Sequence, residues 1–278
     1  MKNIVVAVDF SKGSLQALKY ALNLAAKSKS DLTMVWIDNQ IIQQGIVSQP
    51  APDLRSEAKN LMDELVAKYR KKLKGKLSYK LRKGKVYNEI HNTALSTGAE
   101  LIICGTHGGS GFEKYWIGSN AYRIVTHAPC PVITVKYQSS SLGLPSRIIL
   151  PVDNSTETLQ KLAITGEIAA TAGAEIHVLA MLTDKLRSLR MRTEANARQA
   201  IKFLSEKGIE TVFSAIETQN LTDTLIDYTI NIKGELISIM TEQEATGTGA
   251  LLGPNARLVI NQSPVPVLSS HSKESHTF

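Results

Sequence analysis

Short uninterrupted apolar runs alternate along this chain with stretches in which apolar residues recur every three or four positions. The run 4–8 ends at Asp9 and predicts a buried strand, and Leu15, Leu18, Leu22 and Ala25 then mark one face of a helix. Residues 32–37 predict a second strand. A polar segment holding Pro50 and Pro52 follows, then a helix from about Ser56 with Ala58, Leu61 and Leu65 inward. Residues 77–81 alternate as a strand does, and Ile90, Ala94 and Leu95 suit a short helix. A fourth strand at 101–104, a helix over 118–126 and a last strand at 132–135 complete the set. Apolar strands separated by helices predict parallel sheets covered on both faces. Ligands of such sheets bind beyond the carboxyl ends of the strands, where the strand order reverses. Asp9, Ile37 and the stretch after Cys104 are therefore the places to look for chemistry.

The same order then repeats, with strands predicted near 147–152, 175–180, 209–215, 235–240 and 265–268. Glu100-Leu101-Ile102-Ile103 matches Glu235-Leu236-Ile237-Ser238, Gly118-Ser119-Asn120-Ala121 matches Gly253-Pro254-Asn255-Ala256, and Pro129-Cys130-Pro131-Val132 matches Pro264-Val265-Pro266-Val267. These pairs lie 135 residues apart, whereas Asp9 and Asp153 lie 144 apart, so the second copy lacks about nine residues between its first and fourth strands. A Ser/Gly/Pro stretch from Gln138 to Pro145 reads as a linker. The expected domains are 1–138 and 146–270, an α/β chain of two copies of one fold.

Composition adds three limits. With 43% apolar and 21% charged residues, the 278-residue chain has a globular mix, and no apolar run approaches the ~18 residues that span a bilayer. The opening residues enter a strand and do not resemble a leader, and two cysteines are too few for a disulfide framework. A soluble, cytoplasmic protein with no membrane partner is expected. The formal charge of +7 divides unevenly: through Gln138 there are 20 Lys and Arg against 10 Asp and Glu, and beyond it 12 against 15. The basic stretch from Lys68 to Lys85 has few interleaved aromatics and no recognition-helix pattern, so it reads as a solvated face and nucleic acid is not an expected partner.

The most informative segment is Gly105-Thr106-His107-Gly108-Gly109-Ser110-Gly111, which leads to Gly118-Ser119-Asn120. A strand, a glycine-rich loop and a helix N-terminus can aim backbone N–H groups at a phosphate. No Gly-Lys-Ser/Thr follows, and the glycines do not come after the first strand, so neither the Walker A nor the dinucleotide fingerprint applies. The spacing Gly105-x2-Gly108-x9-Gly118-Ser119, with Val6-Ala7-Val8-Asp9 at the start and His127-Ala128-Pro129-Cys130-Pro131-Val132 before the last strand, resembles the universal stress protein family in tandem form.

That resemblance implies a five-stranded, Rossmann-like parallel sheet of the adenine nucleotide alpha hydrolase-like kind in each half. It also implies ATP, with or without Mg2+, in the first half. Asp9 would meet the adenosine end and Ile37 the adenine, Trp36 being the alternative if the strand slips by one residue. Gly105, His107, Gly108, Gly118, Ser119 and Asn120 would surround the ribose and phosphates. The resemblance further implies pairing through the last strands, which two tandem copies could satisfy within one chain, and leaves a homodimer and a protein partner open.

The second copy departs from this pattern. Met240 stands for Gly105, Gln243 for Gly108 and Pro254 for Ser119, while Glu242 and Glu244 add charge that repels a phosphate. Poor ATP binding is expected there. Gly247 to Gly253 imitates a dinucleotide fingerprint at the wrong strand and reads as a flexible, degenerate remnant. Asp9 could alternatively cap the following helix, as Asp153 would near Ser155, and His107 could be an exposed turn residue. His91, His127 and His177 lack metal-ligand spacing. Cys104 and Cys130 read as small hydrophobes and not as nucleophiles. With no positioned acid–base pair, catalysis beyond slow ATP hydrolysis is not expected.

Overall fold

The central apolar runs become strands because both of their faces are covered. A computed structural model of the chain describes residues 1–39, 54–106, 117–139, 143–241, 243–246 and 249–272. The first half runs β1 (Asn3–Ala7), α1 (Lys12–Ser28), β2 (Asp31–Asp38), α2 (Leu54–Tyr69), β3 (Leu77–Lys83), α3 (Val86–Thr97), β4 (Leu101–Gly105), α4 (Ser119–His127) and β5 (Val132–Val135). The second half repeats it as β6 (Arg147–Val152), α5 (Leu162–Ala172), β7 (Glu175–Leu182), α6 (Arg187–Ser205), β8 (Thr211–Glu217), α7 (Leu221–Asn231) and β9 (Leu236–Thr241). A hairpin of β10 (Gln243–Thr246) and β11 (Gly249–Leu252) precedes α8 (Pro254–Gln262) and β12 (Val267–His271).

All ten main strands form one sheet in the order β3-β2-β1-β4-β5-β12-β9-β6-β7-β8. Every neighbour pair within a half is parallel, and the seam is antiparallel, with Leu268 opposite Ile133. The architecture is therefore α/β, two five-stranded units in tandem. One apolar layer takes Leu18, Leu24 and Met62 from the first half with Ile168, Ala197 and Leu204 from the second. The opposite layer takes Ile90 and Ile124 with Leu225 and Val259. Each layer draws on both halves, so the core crosses the seam.

Helical periodicity found the right helices but blurred their faces. Met62, not Leu61, is the fully buried residue of α2, while Leu15 is 39% and Leu95 60% exposed. The missing residues of the second copy are confined to one connection. β2 and β7 start at Asp31 and Glu175, 144 apart, whereas β3 and β8 start at Leu77 and Thr211, 134 apart. In the second half only 183–186 lie between β7 and α6.

Side chains from the second half also fasten the first. Ile117 N–H donates to the Asn261 side-chain oxygen, and Lys136 Nζ bonds the Asn261 carbonyl. Both Ile117 and Asn261 are buried. In Asn261→Leu the Ile117 N–H loses its acceptor, and leaving a buried donor unmet costs about 1–3 kcal/mol. The expected result is a lower urea midpoint at unchanged slope; an unchanged midpoint would show the bond contributes nothing.

Candidate functional site

The order of the first half reverses between β1 and β4, since β1 lies between β2 and β4. A cleft of about 300 Å³ opens there, beyond the carboxyl ends of these strands. One wall is apolar, made by Val35, Ile37, Val86 and Ile124; the floor and the other wall carry Asp9, Ser14, Gly105 and Asn120. Trp36 lines the cleft as well but packs on the opposite apolar layer from Ile37. The alternation of side chains along a strand puts Ile37 on the α3 and α4 side and Trp36 on the α1 and α2 side.

Asp9 does not cap α1. Ser11 does, accepting from Ser14 N–H at 3.2 Å. Asp9 Oδ1 accepts from Ser11 N–H at 3.0 Å, while the Asp9 N–H donates to Ser14 Oγ at 3.2 Å. The carboxylate therefore braces the turn with one oxygen, and the other has no partner among the described residues. Phe10 makes that turn with φ of 62°, a left-handed backbone rarely taken by a bulky residue.

Gly118 holds the other end of the site. Its N–H donates to the Thr106 carbonyl at 2.8 Å, so the chain leaves β4 and returns at one point. It then caps α4 with no side-chain acceptor, which leaves the first N–H groups of the helix unclaimed by a cap. Gly118 and Ser119 flank the cleft without lining it, and Asn120 does line it. His107 and Gly108 lie outside the described residues. Gly105 is a glycine for a reason the loop argument missed. A Cβ there would stand 2.8 Å from the Gly13 carbonyl carbon and 3.0 Å from Ser14 N, so the bare backbone lets α1 approach β4.

The second half has its own cleft of about 310 Å³ at the matching switch point. Met240 lines it where Gly105 stands in the first half. The room comes from α5, which starts only at Leu162 after a 3-10 turn at Glu157–Leu159, whereas α1 starts at Lys12. Asp153 keeps the turn geometry of Asp9: its Oδ1 accepts from Ser155 N–H at 2.9 Å and Ser155 Oγ at 2.6 Å. Pro254 opens α8 and removes a donor. In the glycine-rich segment, 249–252 pairs antiparallel with 243–246, Glu244 opposite Leu251. That hairpin runs beside α4 of the first half.

Similarity to known proteins bears on identity. The family model described as the universal stress protein family matches residues 1–136 and again 145–270. The chain belongs to the universal stress protein family. Universal stress protein MJ0531 of Methanocaldococcus jannaschii is 32% identical over 139 residues, covering 49% of this chain and 82% of that protein. YxiE of Bacillus subtilis is 27% identical over 144 residues, covering 48% and 97%. Among solved structures, a universal stress protein from Archaeoglobus fulgidus DSM 4304 superposes with a TM-score of 0.75 at 18% identity, over 98% of this chain and 97% of that one. PA1789 of Pseudomonas aeruginosa PAO1, described as functionally unknown, gives 0.69 at 19% over 98% and 93%. The fold is thus shared along the full tandem length.

Within this universal stress protein the two cysteines are free. Burial pushes both thiols up to about 12, Glu100 adding to the effect at Cys130, so neither supplies a thiolate near neutral pH. Among the described residues no group of three His, Cys, Asp or Glu could hold a metal ion. His91 Nδ1 is within 2.7 Å of the His127 carbonyl, a structural contact. Sequence reasoning missed Ser14 and Val86 in the first cleft and Lys161 in the second. Lys161 was open to detection, since it occupies the place of Ala17 at the 144-residue spacing of Asp9 and Asp153.

Proposed function

We propose that this universal stress protein binds an adenine nucleotide, ATP with or without Mg2+, in the cleft of its first half, and acts in the cytoplasm as a nucleotide-responsive regulatory module. The observation that carries this reading is the pairing of chemistries at one switch point. An apolar wall including Ile37 and Val86 suits a planar base, and the Asp9 carboxylate with a spare oxygen suits ribose hydroxyls. The N-terminus of α4, held by Gly118 against Thr106, presents donors to a phosphate. His107 and Gly108 belong to the same proposal through the family pattern. The net positive charge of the first half favours an approaching polyanion. Unpaired cysteines suit a reducing compartment, and among the described residues no helix is long and apolar enough to cross a membrane.

Isothermal titration of the full chain with ATP and magnesium tests the reading. Saturable binding is expected, and no heat of binding at millimolar nucleotide would overturn it. Gly118→Leu sharpens the test, because φ of −60° and ψ of 149° are open to any residue and the fold should persist. Its side chain would crowd the phosphates, so affinity should fall at least tenfold at unchanged melting temperature. Gly253→Leu, at the matching cap of α8, should leave ATP affinity unaltered.

A further inference from the structure

The second cleft holds a cation that the family pattern does not call for. Lys161 lines it, yet the residue is only 3% exposed. Its counterpart Ala17 is a fully buried core residue of α1. An ammonium carries three donors. The Lys161 nitrogen makes one long hydrogen bond, 3.4 Å to Thr158 Oγ1, and no carboxylate among the described residues lies within 4.0 Å of it. A buried, nearly unpartnered cation is costly to a fold unless something supplies the missing charge.

The rest of the cleft indicates what could do so. Met181, Leu225, Ile239 and Val259 give it apolar walls, and about 310 Å³ lies at the small end of the ~300–1,000 Å³ usual for small-molecule pockets. Asp153 and Glu157 also line it and repel a polyanion, and Pro254 has taken away a donor at α8. Lys161 stands at the start of α5, where the helix field adds to its attraction for one negative charge.

We propose that the second cleft is a binding site for a small ligand with one carboxylate on an apolar body, the carboxylate pairing with Lys161. This site is independent of nucleotide binding in the first half. Burial lowers the Lys161 amine to about 8, against the opposing pull of Asp153, so at pH 7 the ammonium is still the major form and available to a carboxylate.

Octanoate and octan-1-ol serve as probes, titrated calorimetrically into the full chain at pH 7. Octanoate should bind the wild type, and Lys161→Met should weaken it at least tenfold, while octan-1-ol binds both proteins alike. Asp153→Asn keeps an acceptor for Ser155 and removes a competing charge, so at pH 6, where Lys161 stays charged without the support of Asp153, it should tighten octanoate several-fold. That variant carries the test even if Lys161→Met fails to fold. Saturating ATP should leave octanoate binding unchanged. The proposal is overturned if octanoate does not bind, if it binds Lys161→Met as tightly as wild type, if Asp153→Asn does not tighten it, or if ATP displaces it.

Discussion

Lys161→Met should be more stable than the wild type at pH 7 by about 3 kcal/mol, and the difference should vanish as pH rises from 8 through 10.5. Burial lowers the amine from its ordinary 10.5 to about 8 in the folded protein. The gap of 2.5 pH, at 1.36 kcal/mol for each, gives about 3 kcal/mol. Below pH 8 the lysine is charged in both folded and unfolded chains, and the folded state bears the full cost of burying the charge. Between 8 and 10.5 the unfolded chain holds the proton and the folded chain does not, so wild-type stability gains relative to the variant. Above 10.5 both are neutral and the cost is gone. The buried Tyr20 hydroxyl and the two cysteine thiols, all held in their protonated forms by burial, make absolute stability fall at high pH. They do so equally in both proteins, so the difference isolates Lys161. Urea denaturation of the two proteins from pH 7 to 10.5 measures it, and a difference that does not change with pH would refute the assignment. Octanoate at saturating concentration should raise the wild-type midpoint at pH 7 and raise the variant's by less.

The two clefts occupy equivalent places in one sheet, but the changes that separate them are coordinated. In the first half α1 starts at once after its serine cap and lies against the bare Gly105 backbone. In the second half the helix begins after a 3-10 turn, and the freed space takes Met240 on one strand and Lys161 at the helix start. Loss of the glycine therefore accompanies construction of a different wall. Charge follows the same division, since the half rich in lysine keeps N–H groups without a side-chain cap at the start of α4 and the other half lines its cleft with two carboxylates and one buried ammonium.

Much of this was legible from the chain alone. The strands 132–135 and 147–152 coincide with β5 and β6, because an apolar run buried on both faces has sharp ends. The changing offset between copies placed the deletion between the right strands. Helix faces were less legible, since a 3.6-residue period cannot separate Leu61 from Met62 without the neighbours that cover them. The candidate site divided in the same way. Asp9, Ile37, Gly105 and Asn120 line one cleft because all sit at strand ends or a helix start beside the switch point. The reason for Gly105 was hidden, as it depends on a backbone 92 positions earlier in sequence, Gly13. Lys161 was legible only as a lysine at the place of Ala17; a lysine near a helix start normally points to solvent, and its burial shows only in the structure.

Gly105→Val should cost about 3 kcal/mol of stability and abolish ATP binding in the same protein. The first atom of the new side chain would overlap backbone, 2.8 Å from the Gly13 carbonyl carbon and 2.9 Å from its oxygen, with Ser14 N at 3.0 Å. Backbone cannot rotate away as a side-chain tip can, so the first turn of α1 must shift, and overpacking of this sort costs about 1–3 kcal/mol. A branched side chain places it at the upper end. The displaced turn carries Ser11 and Ser14, which bond the carboxylate and the N–H of Asp9 respectively. Asp9 thereby loses its position although it is not the residue changed. Gly105→Ala should lose less of both properties, in proportion, because one methyl needs a smaller shift. Denaturant unfolding and ATP titration on the two variants read the effects separately. Full stability with lost binding would mean that Gly105 serves the ligand directly, and lost stability with intact binding would disconnect α1 from the site.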